Sequence, residues 1–161
     1  MANVSLNELF VKFDGQSPLD DQEEKVINLY FTYATKNYCT DIQHVKEIIE
    51  FPLFIPYPVD LGATLGLFNL RGNIVPILDP DRYFLNLQSI HRSKVPQIFR
   101  QMKLRLIVFE LENGVHVAIP ASDVGKTEIT LEESKSESGF ARINDIPHEK
   151  FDIKKLVEEN I

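Results

Sequence analysis

The sequence predicts a mainly β protein assembled from small barrels or a sandwich. Strand-length runs of β-branched, aliphatic and aromatic residues recur at Ile27–Tyr33, Leu65–Leu70, Ile74–Leu78 and Leu104–Leu111. Turn signals fall between them every ten residues or so, and helical periodicity is confined to a few short stretches. The most informative stretch is Leu65–Asp79, L-G-L-F-N-L-R-G-N-I-V-P-I-L-D. In it two apolar runs flank a polar tip, Asn69-Leu70-Arg71-Gly72-Asn73. Leu70, Ile74, Val75, Ile77 and Leu78 are expected to be buried. Arg71 has two readings, a turn residue that pins the loop by bonding carbonyls, or a contact aimed at a partner.

The elements follow in order. Ser5-Leu6-Asn7-Glu8 has the form of a capping box. Leu6, Leu9, Phe10 and Phe13 then recur at helical spacing, and Gly15 to Glu24 reads as a linker. Ile27–Tyr33 is a strand, Thr35-Lys36-Asn37 its turn, and Tyr38–Ile42 the return. Val45, Ile48 and Ile49, with Lys46, Glu47 and Glu50 between them, predict a further strand. Pro52, Pro56 and Pro58 break regular structure across Phe51–Val59. Pro76 cannot donate a ladder hydrogen bond, so its strand belongs at an edge or a bulge. Residues 80–103 form a connector, with a helical turn at Arg82–Leu85 and a helix at Ser93–Met102 presenting Val95, Ile98, Phe99 and Met102 on one face. Leu104–Leu111, the turn at Asn113-Gly114 and Val115–Ile119 predict a hairpin. Val124–Leu131 is a separate strand, Glu132–Gly139 a mobile polar loop, Phe140–Ile146 a short strand, and Pro147–Ile161 a helix with Phe151, Ile153, Leu156 and Val157 inward. Asp152 and Lys155 are placed to pair on its outer face.

Composition narrows the class. A chain of 161 residues buries enough surface for a substantial core. No apolar run approaches the length of a transmembrane helix, and the N-terminus lacks the pattern of a secretory signal. A single cysteine, Cys39, excludes an internal disulfide and fits a reducing compartment. The net charge of −7 opposes non-specific binding to nucleic acid and anionic lipid.

Catalytic constellations are not evident. Cys39 and His44 sit across a strand end without a third orienting group. His91, His116 and His148 share no metal-ligand spacing, and His116, between Val115 and Val117, reads as a solvent-facing strand residue. Gly62, Gly66 and Gly72 match no phosphate-binding pattern. The acidic run Asp20–Glu24 lacks the alternation of a calcium loop. The expectation is a protein with no enzymatic activity, no metal and no cofactor, acting by binding through a β-scaffold.

Val45-Lys46-Glu47-Ile48, the proline-rich Phe51–Val59 and the Leu65–Asp79 signature together resemble the CheW-like coupling (adaptor) domain of bacterial chemotaxis. The likeness runs from about residue 26 to about residue 131. It implies two small five-stranded SH3-like β-barrel subdomains around a shared apolar interior, with short connecting helices and a C-terminal helix. The expected division is an N-terminal extension over 1–24 and a CheW-like domain over 25–161. Within that domain it places subdomain 1 at about 25–85, subdomain 2 at about 103–150, and the helix at about 148–160.

The resemblance also implies a cytoplasmic scaffold of two-component signal transduction, recruited to membrane-associated receptor arrays. Its partners would be the regulatory domain of a CheA-type histidine kinase and the cytoplasmic tips of methyl-accepting chemoreceptors, with no nucleic acid and no membrane insertion. By position, Val45, Glu47, Asn69, Leu70, Arg71 and Gly72 are the partner-binding residues it implies. Alternative readings are an adaptor of the same family in surface motility or development that binds the kinase but not receptors, and, more distantly, a β-barrel nucleic-acid-binding module. After Asp79 the family's usual Leu-Arg is replaced by Pro80-Asp81-Arg82, and its late glycine-rich hairpin has no obvious counterpart.

Overall fold

The computed structural model describes residues 23–56, 64–80 and 95–160. The predicted helix at Leu6–Phe13, most of the linker after it, the turn at Arg82–Leu85 and His91 lie outside the described residues. The strands in chain order are β1 (Lys25–Tyr33), β2 (Lys36–Asp41), β3 (Val45–Glu50), β4 (Ile55–Pro56), β5 (Thr64–Leu70), β6 (Asn73–Leu78), β7 (Arg105–Glu110), β8 (His116–Thr130), β9 (Phe140–Ile143) and β10 (Ile146–Lys150). The helices are α1 (Val95–Met102), α2 (Leu131–Lys135) and α3 (Ile153–Asn160), and a 3-10 turn spans Ile42–His44. The protein is mainly β, as its sequence predicts.

The strands divide into two barrel-like sheets joined through β8. One, the terminal barrel, runs β9-β10-β2-β1-β8 and uses the C-terminal half of β8. The other, the central barrel, runs β4-β5-β6-β8-β7-β3 and uses its N-terminal half. The pairing therefore differs from contiguous subdomains at about 25–85 and about 103–150. β1 and β2 pair with strands from the end of the chain, because Lys25–Tyr30 runs antiparallel to Gly125–Thr130 and Tyr38–Cys39 lies parallel to Glu149–Lys150.

β8 replaces the two separate strands expected at Val115–Ile119 and Val124–Leu131. Pro120 is accommodated within it, opposite Leu106. The strand kinks where it passes from one barrel to the other: the register shifts between Tyr30 and Thr32, and Asp123 takes φ 49°. Such a bulge bends a strand and increases its twist. Gly125 leaves room for the Tyr30 side chain, since a Cβ on it would stand 2.4 Å from the ring in its present position.

Both faces of β1 are covered. Leu29, Phe31 and Tyr33 join the main core with Leu106, Ile107, Val108 and Phe109 of β7, while Val26 and Tyr30 pack on the small interior of the terminal barrel, formed by Cys39, Ile129, Ala141 and Ile143. Phe151 joins the two barrels, its ring against Phe31 and Tyr38 on one side and Phe109 on the other. A second aromatic cluster, Phe51, Phe54 and Phe99, fastens α1 to the central barrel. As predicted, Phe99 is buried, but Met102 at the end of α1 is exposed.

The C-terminal third departs most from expectation. Nearer the start, the β1–β2 turn is Ala34-Thr35 rather than the predicted Thr35-Lys36-Asn37, with Ala34 at φ 58°. The polar stretch after Thr130 is not wholly a loop. Thr130 caps α2, its hydroxyl accepting from the Glu133 N–H at 3.0 Å. Asn144 and Asp145, both at positive φ, turn β9 into β10. The helix expected over 147–161 is thus a strand to Lys150, and α3 begins only at Ile153. Asp152 does not pair with the Lys155 side chain; its Oδ1 accepts from the backbone N–H groups of Lys154 and Lys155, which caps α3.

Candidate functional site

The Arg71 hairpin projects from the central barrel between β5 and β6. Arg71 and Gly72 have φ of 50° and 93°, the two positive values that a two-residue I′-type turn needs. Gly72 adopts this conformation freely, whereas an arginine gives up roughly 1–2 kcal/mol there. The Asn69 side chain braces the turn, its Oδ1 accepting from the Gly72 N–H at 2.9 Å.

Arg71 donates to Glu47 Oε2 at 2.5 Å, across from β3. β3 lies at one end of the central strand order and the β5–β6 hairpin near the other, so this contact ties the sheet's two ends together. A bulge between Val45 and Glu47 aims the carboxylate. Glu47 is accordingly half-buried, with its side chain 24% exposed, while that of Arg71 is 64% exposed. Val45 and Leu70 are half-buried and pack on the main core. Of the six residues predicted from sequence, the structure thus brings Glu47 and Arg71 into contact, makes Asn69 and Gly72 the frame of the turn, and sets Val45 and Leu70 against the interior.

Ile74 corrects the expectation of burial, being 64% exposed. Cross-strand partners share a face of the sheet, and Ile55 pairs with Leu67, Leu67 with Pro76, and Asn69 with Ile74. The outer face of β4–β5–β6 is therefore an apolar row running up to the Arg71 turn, with Ile55 71% exposed and Leu53 beside β4 80% exposed. Sequence reasoning missed this row because Ile74 sits in an almost continuous apolar run. The signal was present nonetheless: with Val75 and Ile77 inward, strict alternation puts Ile74 and Pro76 outward. Gly66 lets β4 pack closely on β5, since a Cβ there would stand 2.5 Å from both the Phe54 ring and the Ile55 carbonyl.

The other polar groups do not converge. Cys39 is buried, its Sγ 3.9 Å from the His148 carbonyl. His148 is itself buried, with Nδ1 2.9 Å from the Ile146 carbonyl. His116 is half-buried rather than solvent-facing, and its Nε2 lies 3.6 Å from Glu110. Among the described residues, no three of His, Cys, Asp and Glu are grouped to hold a metal, and no helix is long and apolar enough to cross a membrane.

Two small barrels that share a strand, with an ion-paired hairpin tip beside an exposed apolar row, define a β-scaffold. The chain belongs to the CheW-like domain family, whose profile matches residues 28–146. A stretch of 42 residues is 38% identical to the chemotaxis protein CheV3 of Helicobacter pylori; it spans 26% of this chain and 14% of that protein. The crystal structure of the scaffolding protein TtCheW from Thermoanaerobacter tengcongensis aligns with a TM-score of 0.59 at 19% identity, over 84% of this chain and 88% of that one. At that identity the second likeness is one of fold.

Proposed function

We propose that this protein is a non-enzymatic adaptor of chemotaxis signalling, which couples the cytoplasmic tips of chemoreceptors to the regulatory domain of a CheA-type histidine kinase. On this reading residues 25–161 act as one CheW-like domain in the cytoplasm and join receptor arrays through protein contacts alone. The observation that carries it is the exposed apolar row of Ile55 and Ile74 ending at the Arg71 turn. Large apolar side chains beside an arginine have the composition of an interface core rather than of a solvated sheet face. Its mechanism is positional: two interfaces on one rigid body convert a shift of the receptor into a change in kinase orientation.

Binding of purified receptor tips and of the kinase regulatory domain tests the proposal. Capture of neither overturns it. Ile74→Asp is expected to weaken kinase-domain binding at least tenfold, the effect of losing an interface anchor of more than about 1.4 kcal/mol. Arg71→Ala is expected to weaken binding while the thermal midpoint barely moves, because an exposed ion pair contributes only about 0–1 kcal/mol. A large loss of stability in Arg71→Ala would instead make the Glu47–Arg71 contact a purely structural clasp.

A further inference from the structure

Charge is unevenly spread along this acidic chain. The net charge is −7, yet from Arg82 to Phe109 the sequence holds six arginines and lysines and no carboxylate. Within the described part of that stretch, Arg100 lies on α1, Lys103 directly follows it and Arg105 opens β7, and all three are exposed. Among the described residues no carboxylate comes within ion-pair distance of the three, whereas Lys46, Arg71 and Lys154 each face one. Glu50 stands opposite Arg105 on β3, and Asp123 follows Ala121, the partner of Arg105 on β8, by two residues; neither bonds a cation of this group.

A helix C-terminus favours nearby cations, and α1 ends with the N–H groups of Lys103 and Leu104 bonded to the carbonyls of Arg100 and Phe99. That preference explains Arg100 and Lys103. It does not extend to Arg105 on a strand, or to Met102, which lies among the cations in sequence and is 46% exposed. The position of α1 is informative. Phe99 packs on Phe51 and Phe54, which flank the exposed Leu53, and β4 follows at Ile55. The apolar row is therefore bordered by Arg71 at its turn and by α1 on its β4 side. An apolar centre with a charged rim is the plan of a protein–protein interface.

We infer that the protein surface that docks on this row, on the reading proposed above, carries carboxylates beside its own apolar patch, and that Arg100, Lys103 and Arg105 receive them while Met102 extends the apolar contact. A nucleic acid or an anionic lipid surface presents negative charge well beyond three cations and meets the acidic remainder of the chain. An acidic patch of matching size on a protein avoids that repulsion. Rim charges of this kind act mainly on association, drawing the partner in and fixing its orientation.

The test measures association and dissociation rates of the purified kinase regulatory domain with the whole chain and with a variant carrying Arg100→Gln, Lys103→Gln and Arg105→Gln. The expected result is about tenfold slower association at low salt, with the dissociation rate unchanged. The difference is expected to vanish in about 1 M sodium chloride, where the screening length is about 3 Å. Met102→Ala is expected to speed dissociation about threefold while association stays as it was. Kinase-domain binding whose association rate ignores the triple variant overturns this inference and leaves the adaptor reading standing, and a lower thermal midpoint with unchanged rates makes the cations helix-end residues only. Absence of kinase-domain binding overturns it too, and capture of receptor tips in the same assay tells whether the adaptor reading falls with it. Saturable binding of a single-stranded oligonucleotide or of phosphatidylglycerol vesicles, lost in the triple variant, reassigns the patch to a polyanion and also overturns the inference.

Discussion

Tyr33 and Asp79 show how one hydrogen bond couples the barrels. Tyr33 ends β1 of the terminal barrel, Asp79 follows β6 of the central barrel, both are buried, and the phenol donates to Asp79 Oδ1. Removing the hydroxyl leaves a buried carboxylate short of a donor. Tyr33→Phe is therefore expected to lose about 1–3 kcal/mol in urea denaturation, and an unchanged midpoint would show that other groups satisfy Asp79. Cys39 offers a pH-dependent measurement. Burial is the main cause that raises its thiol from 9.0 to about 11, with Lys150 opposing and Glu133 assisting. The native state thus keeps the proton where the unfolded chain releases it. The stability this contributes is complete below about pH 9 and is lost as pH rises toward about 11, a loss on the order of 2 kcal/mol. Subtracting the stability curve of Cys39→Ala from that of the parent isolates this slope, and parallel curves would contradict it. Other residue-scale facts were beyond the reach of sequence. Glu47 and Arg71 are 24 positions apart, and no local spacing rule joins them; only the closing of the central sheet does.

At the scale of elements, legibility followed how local the cause was. β1, β5, β6 and β7 were readable because their own side chains alternate or run apolar, and α1 because its apolar face repeats. α2 was not, since Leu131–Lys135 is too short and polar to be helical alone. Its support is tertiary: Thr130 caps its start, and Lys150 gathers the carbonyls of Glu133 and Ser136 at its end. In return the Glu133 carboxylate accepts from the Arg142 N–H at 2.7 Å. β9 is the last strand of the terminal barrel, so the Glu133 carboxylate satisfies one N–H on an edge strand. Glu133→Ala is expected to speed hydrogen exchange at Arg142 while exchange in β7 stays unchanged. Equal protection in both proteins would refute the capping role. The β9–β10 hairpin is not legible in the sequence because Asn144-Asp145 replaces the glycine that usually announces such a turn, and because the apolar face Phe151, Ile153, Leu156 and Val157 gives no sign that its helix begins well after Pro147.

For the molecule as a whole, family and barrel architecture are legible from three stretches taken together, Val45–Ile48, Phe51–Val59 and Leu65–Asp79, but the partition of strands is not. Local pattern identifies strands, while pairing depends on which apolar faces must be covered, and the second covered face of β1 gives no separate sign in its sequence. The exposed apolar row is made by neighbouring strands, whereas the terminal barrel is made by strands far apart in sequence. This arrangement bears on the order in which the protein is born. The strands β3 to β7 and the first half of β8 leave a ribosome before the second half of β8, and well before β10. The central barrel can therefore close while synthesis continues. Among the described residues the earliest hairpin, β1–β2, must wait with Val26 and Tyr30 uncovered until Ile129, Ala141 and Ile143 arrive. The outer face of β1 is thus sheltered later than the strands that follow it, and a growing chain is open to misassociation at Val26 and Tyr30 for longer than at the core of the central barrel.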